Sequence, residues 1–464
     1  MFIRTKHTVV GTLLAVALLC GCASAAINEK NEILCKTGTP KQIAAALRAK
    51  TLGVADKDEN GETALMYIAA SNPDPQSALA LIDAGAKIDD HDNDGMTALM
   101  YAAGLNPNPE MTTALVGAGA KIDDCGHDGM TAILCAATYN QNPDVIAALT
   151  GAGADVNEPN SSGTTALMYA AAYNPEPEMI NALIDAGARG INDRNQNGMT
   201  VLMQAATFNQ NPDVIPGLIR AGAQIDDQDQ YGNTALMYAA SYNPDPEMIS
   251  ALVNAGANVD DRNQFDMTAL MCVAAYNSNP EMIAELTRSG ASAINDQNQN
   301  GETALMYAAS YNPDPEMIRT LIGSGAEVND YDQENTTVLM YAAMNNPDPE
   351  ACVVLIDAGA SLNVRDAYGM TALMLAAGYN PNPDVITTLT GAGAVVDDQD
   401  YEGMTALMHA AAYNSEPATI SALLQAGASA KLKDHSGKSA LDYATENEKL
   451  KGTAAIKELR NAKS

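Results

Sequence analysis

A threonine followed by a small residue and an aliphatic one recurs at positions 63, 97, 131, 165, 200, 234, 268, 303, 337, 371 and 405, and a serine takes its place at 439. The step is 34 residues, apart from two steps of 35. A period of this size marks one supersecondary unit copied in line. Each copy is too small to bury its apolar face alone and does so against its neighbours. The composition agrees with a thin core repeated many times. Tryptophan is absent, only 3 Phe occur, and the 47% hydrophobic share rests on alanine and 23 Met.

One copy, residues 234–257, shows the local logic. Thr234 suits the N-cap of a first helix whose apolar face is Leu236, Ala239 and Ala240. Asn243 is placed to end that helix in a left-handed conformation. Asp245 then caps a second helix, with Pro246 at its first position and Glu247 beside the positive end of the dipole. Met248, Ile249, Leu252 and Val253 fall at helical spacing and form its buried stripe, and Gly256 ends it. The polar stretch that follows, Val259 to Gln264, reads as a loop or hairpin finger.

Helix, tight turn, helix and finger at this period resemble the ankyrin repeat. The residues that carry the resemblance are Asp229, Gly232, Thr234, Ala235, Leu236, Ala239 and Ala240, then Leu252, Ala255, Gly256 and Ala257. The resemblance covers residues 29 to 464 and implies an all-α repeat solenoid of about 12–13 repeats. Two departures stand out. The family's Thr-Pro-Leu-His becomes Thr-Ala-Leu-Met, so its histidine gives way to Met66, Met100, Met168, Met203, Met237, Met271, Met306, Met340, Met374 and Met408. The loop between helices also gains a residue through Asn-Pro-Asp-Pro. Stacking is therefore expected to lean more on apolar contact and less on hydrogen bonds. Residues 29–62 read as a degenerate N-terminal capping repeat, 63–436 as the array and 437–464 as a C-terminal capping repeat, since a solenoid needs polar ends.

Residues 1–21 read as a secretory signal. Arg4 and Lys6 precede an apolar run from Val9 to Leu19, too short to span a bilayer. The run ends in Leu19-Cys20-Gly21-Cys22, which resembles a bacterial lipobox and implies lipidation of Cys22, with residues 22–28 as a short tether. Cleavage after Ala23-Ser24-Ala25 is the competing reading. Both predict export to the periplasm or outer envelope. Removal of the signal takes two cations and no acid, so the net charge moves from −32 to −34.

That charge excludes proteins that coat nucleic-acid phosphates, which need clustered Lys and Arg, and adhesion to anionic lipid through a polybasic patch. Membrane contact is expected only through the lipid anchor. Cys35, Cys125, Cys135, Cys272 and Cys352 have no regular spacing and form no disulfide framework. Cys135 and Cys272 stand where other copies carry Tyr, which points to packing. No nucleophile recurs beside a histidine and no Gly-rich phosphate loop appears, so neither an enzyme nor a cofactor is expected. Methionine pairs such as Met96 and Met100 could suggest copper, but methionine is also adaptable core filler, and packing is the better reading.

The strongest surface feature is an aromatic column eight residues after the repeat threonine: Tyr139, Tyr173, Phe208, Tyr242, Tyr276, Tyr311, Tyr379 and Tyr413. The family resemblance places this position on the concave face, where partners are commonly contacted. Tyrosine suits contact because it offers area, little entropy cost and a hydroxyl. Ser71, Leu105 and Asn345 break the column. Tyr67, Tyr101, Tyr169, Tyr238, Tyr307 and Tyr341 lie four residues earlier and are expected to be half-buried. The fingers are acidic. Asp90, Asp92 and Asp94 match the opening of a calcium loop, but its bidentate glutamate is missing, since Tyr101 stands at the twelfth position. The chain is thus expected to be a monomeric module that binds a protein partner of basic character. A structural spacer, or an acidic rod that responds to divalent cations, is the alternative.

Overall fold

A computed structural model of the chain describes Ile27, residues 29–290 and residues 294–463. The signal segment, Cys22 and the alternative cleavage site lie outside these residues. Among the described residues there are 26 α-helices, which run in 13 consecutive pairs, and no strand longer than isolated bridges such as Lys57 with Thr63. By contacts the chain falls into two compact units. One holds the described residues through Ala205 together with Gly217–Ala223, and the other holds Ala206–Pro216 together with Gln224 onward.

In each unit, first helices pack on first helices and second helices on second helices. In the N-terminal unit, Ala64–Ser71, Ala98–Leu105, Ala132–Tyr139 and Ala166–Tyr173 stack in order. In the C-terminal unit the series runs Ala235–Tyr242, Ala269–Tyr276, Ala304–Tyr311, Val338–Asn345, Ala372–Tyr379, Ala406–Tyr413 and Ala440–Glu446. A first helix is covered on both sides, and alanine lets its neighbours approach closely. In Ala235–Tyr242 the residues Ala235, Leu236, Met237, Ala239, Ala240 and Ser241 are all buried.

The caps follow the local sequence. Thr234 accepts a hydrogen bond from the Met237 amide at 3.4 Å, and Asp245 accepts one from the Glu247 amide at 2.9 Å. Pro246 opens the helix Pro246–Asn254. Gly256 has φ +104°, a left-handed conformation that glycine adopts without a steric penalty. Gly232, at the finger tip, has φ +81°, and a Cβ there would come within 2.9 Å of the Gln264 amide nitrogen. That approach is needed because the fingers pair through their backbones, with the Gln264 amide donating to the Tyr231 carbonyl at 2.9 Å. The finger after it turns without glycine, on Asp266 at φ +60°; aspartate is among the residues that best tolerate this region.

Three expectations are corrected. Asn243 is extended, at φ −80° and ψ 132°, and is no left-handed cap. Its buried amide reaches back one repeat, donating to the carbonyls of Ala206 at 3.0 Å and Asn209 at 2.9 Å, while its carbonyl accepts from the Asp245 amide at 2.9 Å. The same pattern recurs in the N-terminal unit at Asn72, Asn106, Asn140 and Asn174, and in the C-terminal unit at Asn277, Asn312, Asn346, Asn380, Asn414 and Asn447. Each side chain thereby satisfies a carbonyl that the preceding first helix leaves unpaired at its C-terminus. Stacking therefore does not lean away from hydrogen bonds: a continuous amide ladder runs through each unit. The third correction is Val253, which is half-buried while Met248, Ile249 and Leu252 are buried.

The ten methionines of the Thr-Ala-Leu-Met position are buried to 2% exposure or less. Four of them do more than fill space. The thioethers of Met66, Met203, Met306 and Met340 accept the amide of their own cap residue at 3.2–3.5 Å.

Candidate functional site

Two tyrosine columns share the first helices, and the structure gives them different work. The inner column, four residues after the repeat threonine, ties helix to finger. Tyr67, Tyr101, Tyr238 and Tyr341 are half-buried, and their hydroxyls donate to Asp58, Asp92, Asp229 and Asp332 at 2.7–2.9 Å. Each of these aspartates already accepts two finger amides on its other oxygen. For Asp229 they are the amides of Tyr231 and Asn233, both at 2.8 Å. The finger aspartate is thus a clip, held locally by an Asx-type turn and fixed to the helix by the tyrosine. Burial, together with the carboxylates these hydroxyls face, pushes the phenols of Tyr101 and Tyr341 well above the ordinary tyrosine range. Tyr169 faces Asn160 instead and is pushed up to about 12, chiefly by burial.

His409 fills the inner position in its repeat, and its ring Nε2 lies 2.8 Å from Asp400. Burial opposes ionisation of Asp400, but the hydrogen bonds from His409, Met404 and Glu402 hold its carboxyl below the usual range. Cys135 and Cys272 hold the same position in theirs and make no such clip. Both are buried, and burial pushes their thiols up to about 12, which suits packing and not nucleophilic chemistry.

The outer column is divided. Tyr139, Tyr173 and Phe208 are half-buried. Tyr242, Tyr276, Tyr311, Tyr379 and Tyr413, all in the C-terminal unit, are 45–60% exposed. Their rings form pairs: Tyr242 stacks on Tyr276 with centroids 6.5 Å apart, and Tyr379 on Tyr413 at 6.1 Å. Asn345 interrupts the column, reaching Ser310 at 3.4 Å.

A second aromatic set was not singled out from the sequence. Tyr231, Phe265, Tyr331, Tyr368 and Tyr401 are each about half or more exposed and sit on the fingers of the same unit. Among the described residues of the N-terminal unit, the exposed large apolar side chains are only Ile33 and Leu105. The signal available in sequence was an aromatic residue with no helical phase, standing beside the finger turn.

The oxygens of the finger aspartates are largely engaged within the fold. Asp92 spends one oxygen on the amides of Asp94 and Met96 and the other on Tyr101, while Asp94 is exposed. Among the described residues, no group of three His, Cys, Asp or Glu side chains could hold a metal ion.

No curated protein matches this sequence. The family described as ankyrin repeats, whose pattern spans three copies, matches it over residues 25–124, 103–191, 171–263, 236–332, 308–400 and 373–461. These overlapping matches cover the array from the first helix pair to the last, and they agree with the paired helices, the left-handed glycines and the stacked fingers: the chain belongs to the ankyrin repeat family.

Proposed function

We propose that this chain is a docking module that binds a basic protein partner through the tyrosine face of its C-terminal unit, and that it acts by binding and not by catalysis. Ankyrin repeats are generally protein–protein interaction modules. The observation that carries the reading is the exposed column of Tyr242, Tyr276, Tyr311, Tyr379 and Tyr413, with exposed finger aromatics in the same unit. Large aromatic side chains left in water on a folded unit are the usual anchors of an interface. The net charge of −32 favours a basic partner and an association rate that falls as salt rises.

The decisive measurement replaces Tyr242, Tyr276 and Tyr311 with alanine together. These rings are exposed, so the helical signal should be unchanged, while affinity for a partner crosslinked to the native protein should fall about 100-fold, as expected when several anchor residues are removed. Full retention of affinity in the folded triple variant would rule out this face. We further propose export and lipid anchorage at Cys22, supported by the sequence of residues 4–22. Labelling with a radioactive fatty acid should mark the intact chain and spare Cys22→Ser; label persisting on the variant would place the lipid elsewhere.

A further inference from the structure

Beside the exposed tyrosine column, Glu302, Tyr307, Tyr311 and Tyr341 line a shallow recess together with Met306 and Ser310. The Tyr307 hydroxyl donates to one oxygen of Glu302 at 2.9 Å, and the Tyr341 hydroxyl, which faces Asp332 at 2.8 Å, lies 3.2 Å from the other. Asn298 Nδ2 donates to the Tyr307 oxygen at 3.0 Å and to the same Glu302 oxygen at 2.8 Å, so the other Glu302 oxygen is the less occupied one. The rings of Tyr307 and Tyr311 stand 6.2 Å apart at 37°. A carboxylate and the negative faces of aromatic rings converge here, and together they attract a cation.

Elsewhere in the chain a lysine meets an inner-column ring together with a glutamate from another position. Lys36 Nζ lies 2.5 Å from Glu32 and 5.7 Å from the centroid of the Tyr67 ring. Lys438 Nζ lies 2.9 Å from Glu446 and 5.1 Å from the centroid of Tyr443. Tyr67 and Tyr443 occupy the same place after the repeat residue as Tyr307. In both cases a lysine ammonium sits between a glutamate and an inner-column ring. The Glu302 set has no such lysine to draw on, since none lies between Lys121 and Lys431. Nor do the arginines supply the charge: Arg262, Arg288, Arg319 and Arg365 are paired with Asp296, Glu285, Glu350 and Asp398.

We infer that the Glu302 recess receives a lysine side chain from a basic segment of the partner protein. This rests on the docking role of the tyrosine face and assigns that face a specific chemical preference. The ammonium lies against the carboxylate and the Tyr307 and Tyr311 rings, a carboxylate-and-ring contact of the kind that Lys36 and Lys438 make with other glutamates, while its methylene stem lies along the aromatic surface.

The test uses the full chain and a fluorescent peptide of alternating lysine and glycine, with a norleucine counterpart, followed by anisotropy at low salt. The lysine peptide should bind, and the norleucine peptide should bind about ten-fold more weakly. Glu302→Gln keeps an oxygen for the Tyr307 hydroxyl while Tyr341 retains Asp332, and Tyr311→Ala removes an exposed ring. Each should weaken the lysine peptide about five- to ten-fold. Glu316→Gln, which removes the same charge from an exposed site on a second helix, should have little effect. Equal losses for Glu302→Gln and Glu316→Gln would reduce the effect to diffuse attraction. Equal binding of the two peptides, or no binding of the lysine peptide, would also overturn the inference. If capture of the protein partner depends on Tyr242, Tyr276 and Tyr311 but ignores Glu302→Gln, the docking face stands and the lysine assignment falls. If capture ignores the tyrosines, the docking face itself is wrong.

Discussion

Asn380→Ala is expected to destabilise the C-terminal unit by about 3 kcal/mol, because unsatisfied buried polar groups cost about 1–3 kcal/mol each. Asn380 is 1% exposed. Its amide donates to the carbonyls of Ala343 at 2.9 Å and Asn346 at 2.7 Å, and its carbonyl accepts from the Asn382 amide at 2.9 Å. Alanine strands two acceptors and one donor. In a linear array, neighbour coupling carries much of the stability, so the loss should split unfolding into two steps and not merely shift the midpoint. Urea denaturation followed by helical circular dichroism reads both effects. Asn345→Ala, at the column break and only half-buried, should cost far less. Similar midpoints for the two variants would show that the ladder contributes little.

Met340→Ala should cost about 2–4 kcal/mol, within the range for removing a buried methionine from a core. Met340 is 1% exposed in the helix Val338–Asn345, and its sulfur accepts the Thr337 amide at 3.4 Å. Alanine loses the apolar contact with both neighbouring repeats and leaves that amide without its sulfur acceptor. Met340→Leu keeps nearly the same volume and should cost about 1 kcal/mol. A leucine variant as unstable as the alanine one would mean that the thioether, and not its volume, is what the site requires. The two asparagine and methionine sites lie in adjacent repeats, so their combined loss is not expected to be additive.

The local elements of the fold were legible in the sequence and the long-range ones were not, for a physical reason. Thr234, Asp245, Pro246 and Gly256 act on backbone within a few residues, so their identity reports their role directly. Asn243 was misread because asparagine has two local uses, capping and turning, and here its amide partners lie 34 and 37 residues away. The same limit hid the finger clip. The acid of Asp229 and the phenol of Tyr238 are nine residues apart, in elements whose relative placement only the fold fixes. Val253 kept the helical phase of a buried residue and yet lies at the margin of the stripe, where phase alone does not decide depth. For the candidate site, the outer column was visible as a period. Its division into half-buried and exposed members was not, because Tyr139 and Tyr242 occupy equivalent positions and differ only in their surroundings.

The asparagine ladder also gives the array a direction. Within each unit, every described bond to a neighbouring repeat runs from a later repeat to an earlier one, so each such repeat is finished by its successor. A chain lengthening from its N-terminus closes the open carbonyls of the previous repeat as each new asparagine arrives. Whole copies added between existing ones preserve this arithmetic, which makes growth by duplication structurally cheap. A break in the middle of a copy leaves the repeat before it unfinished.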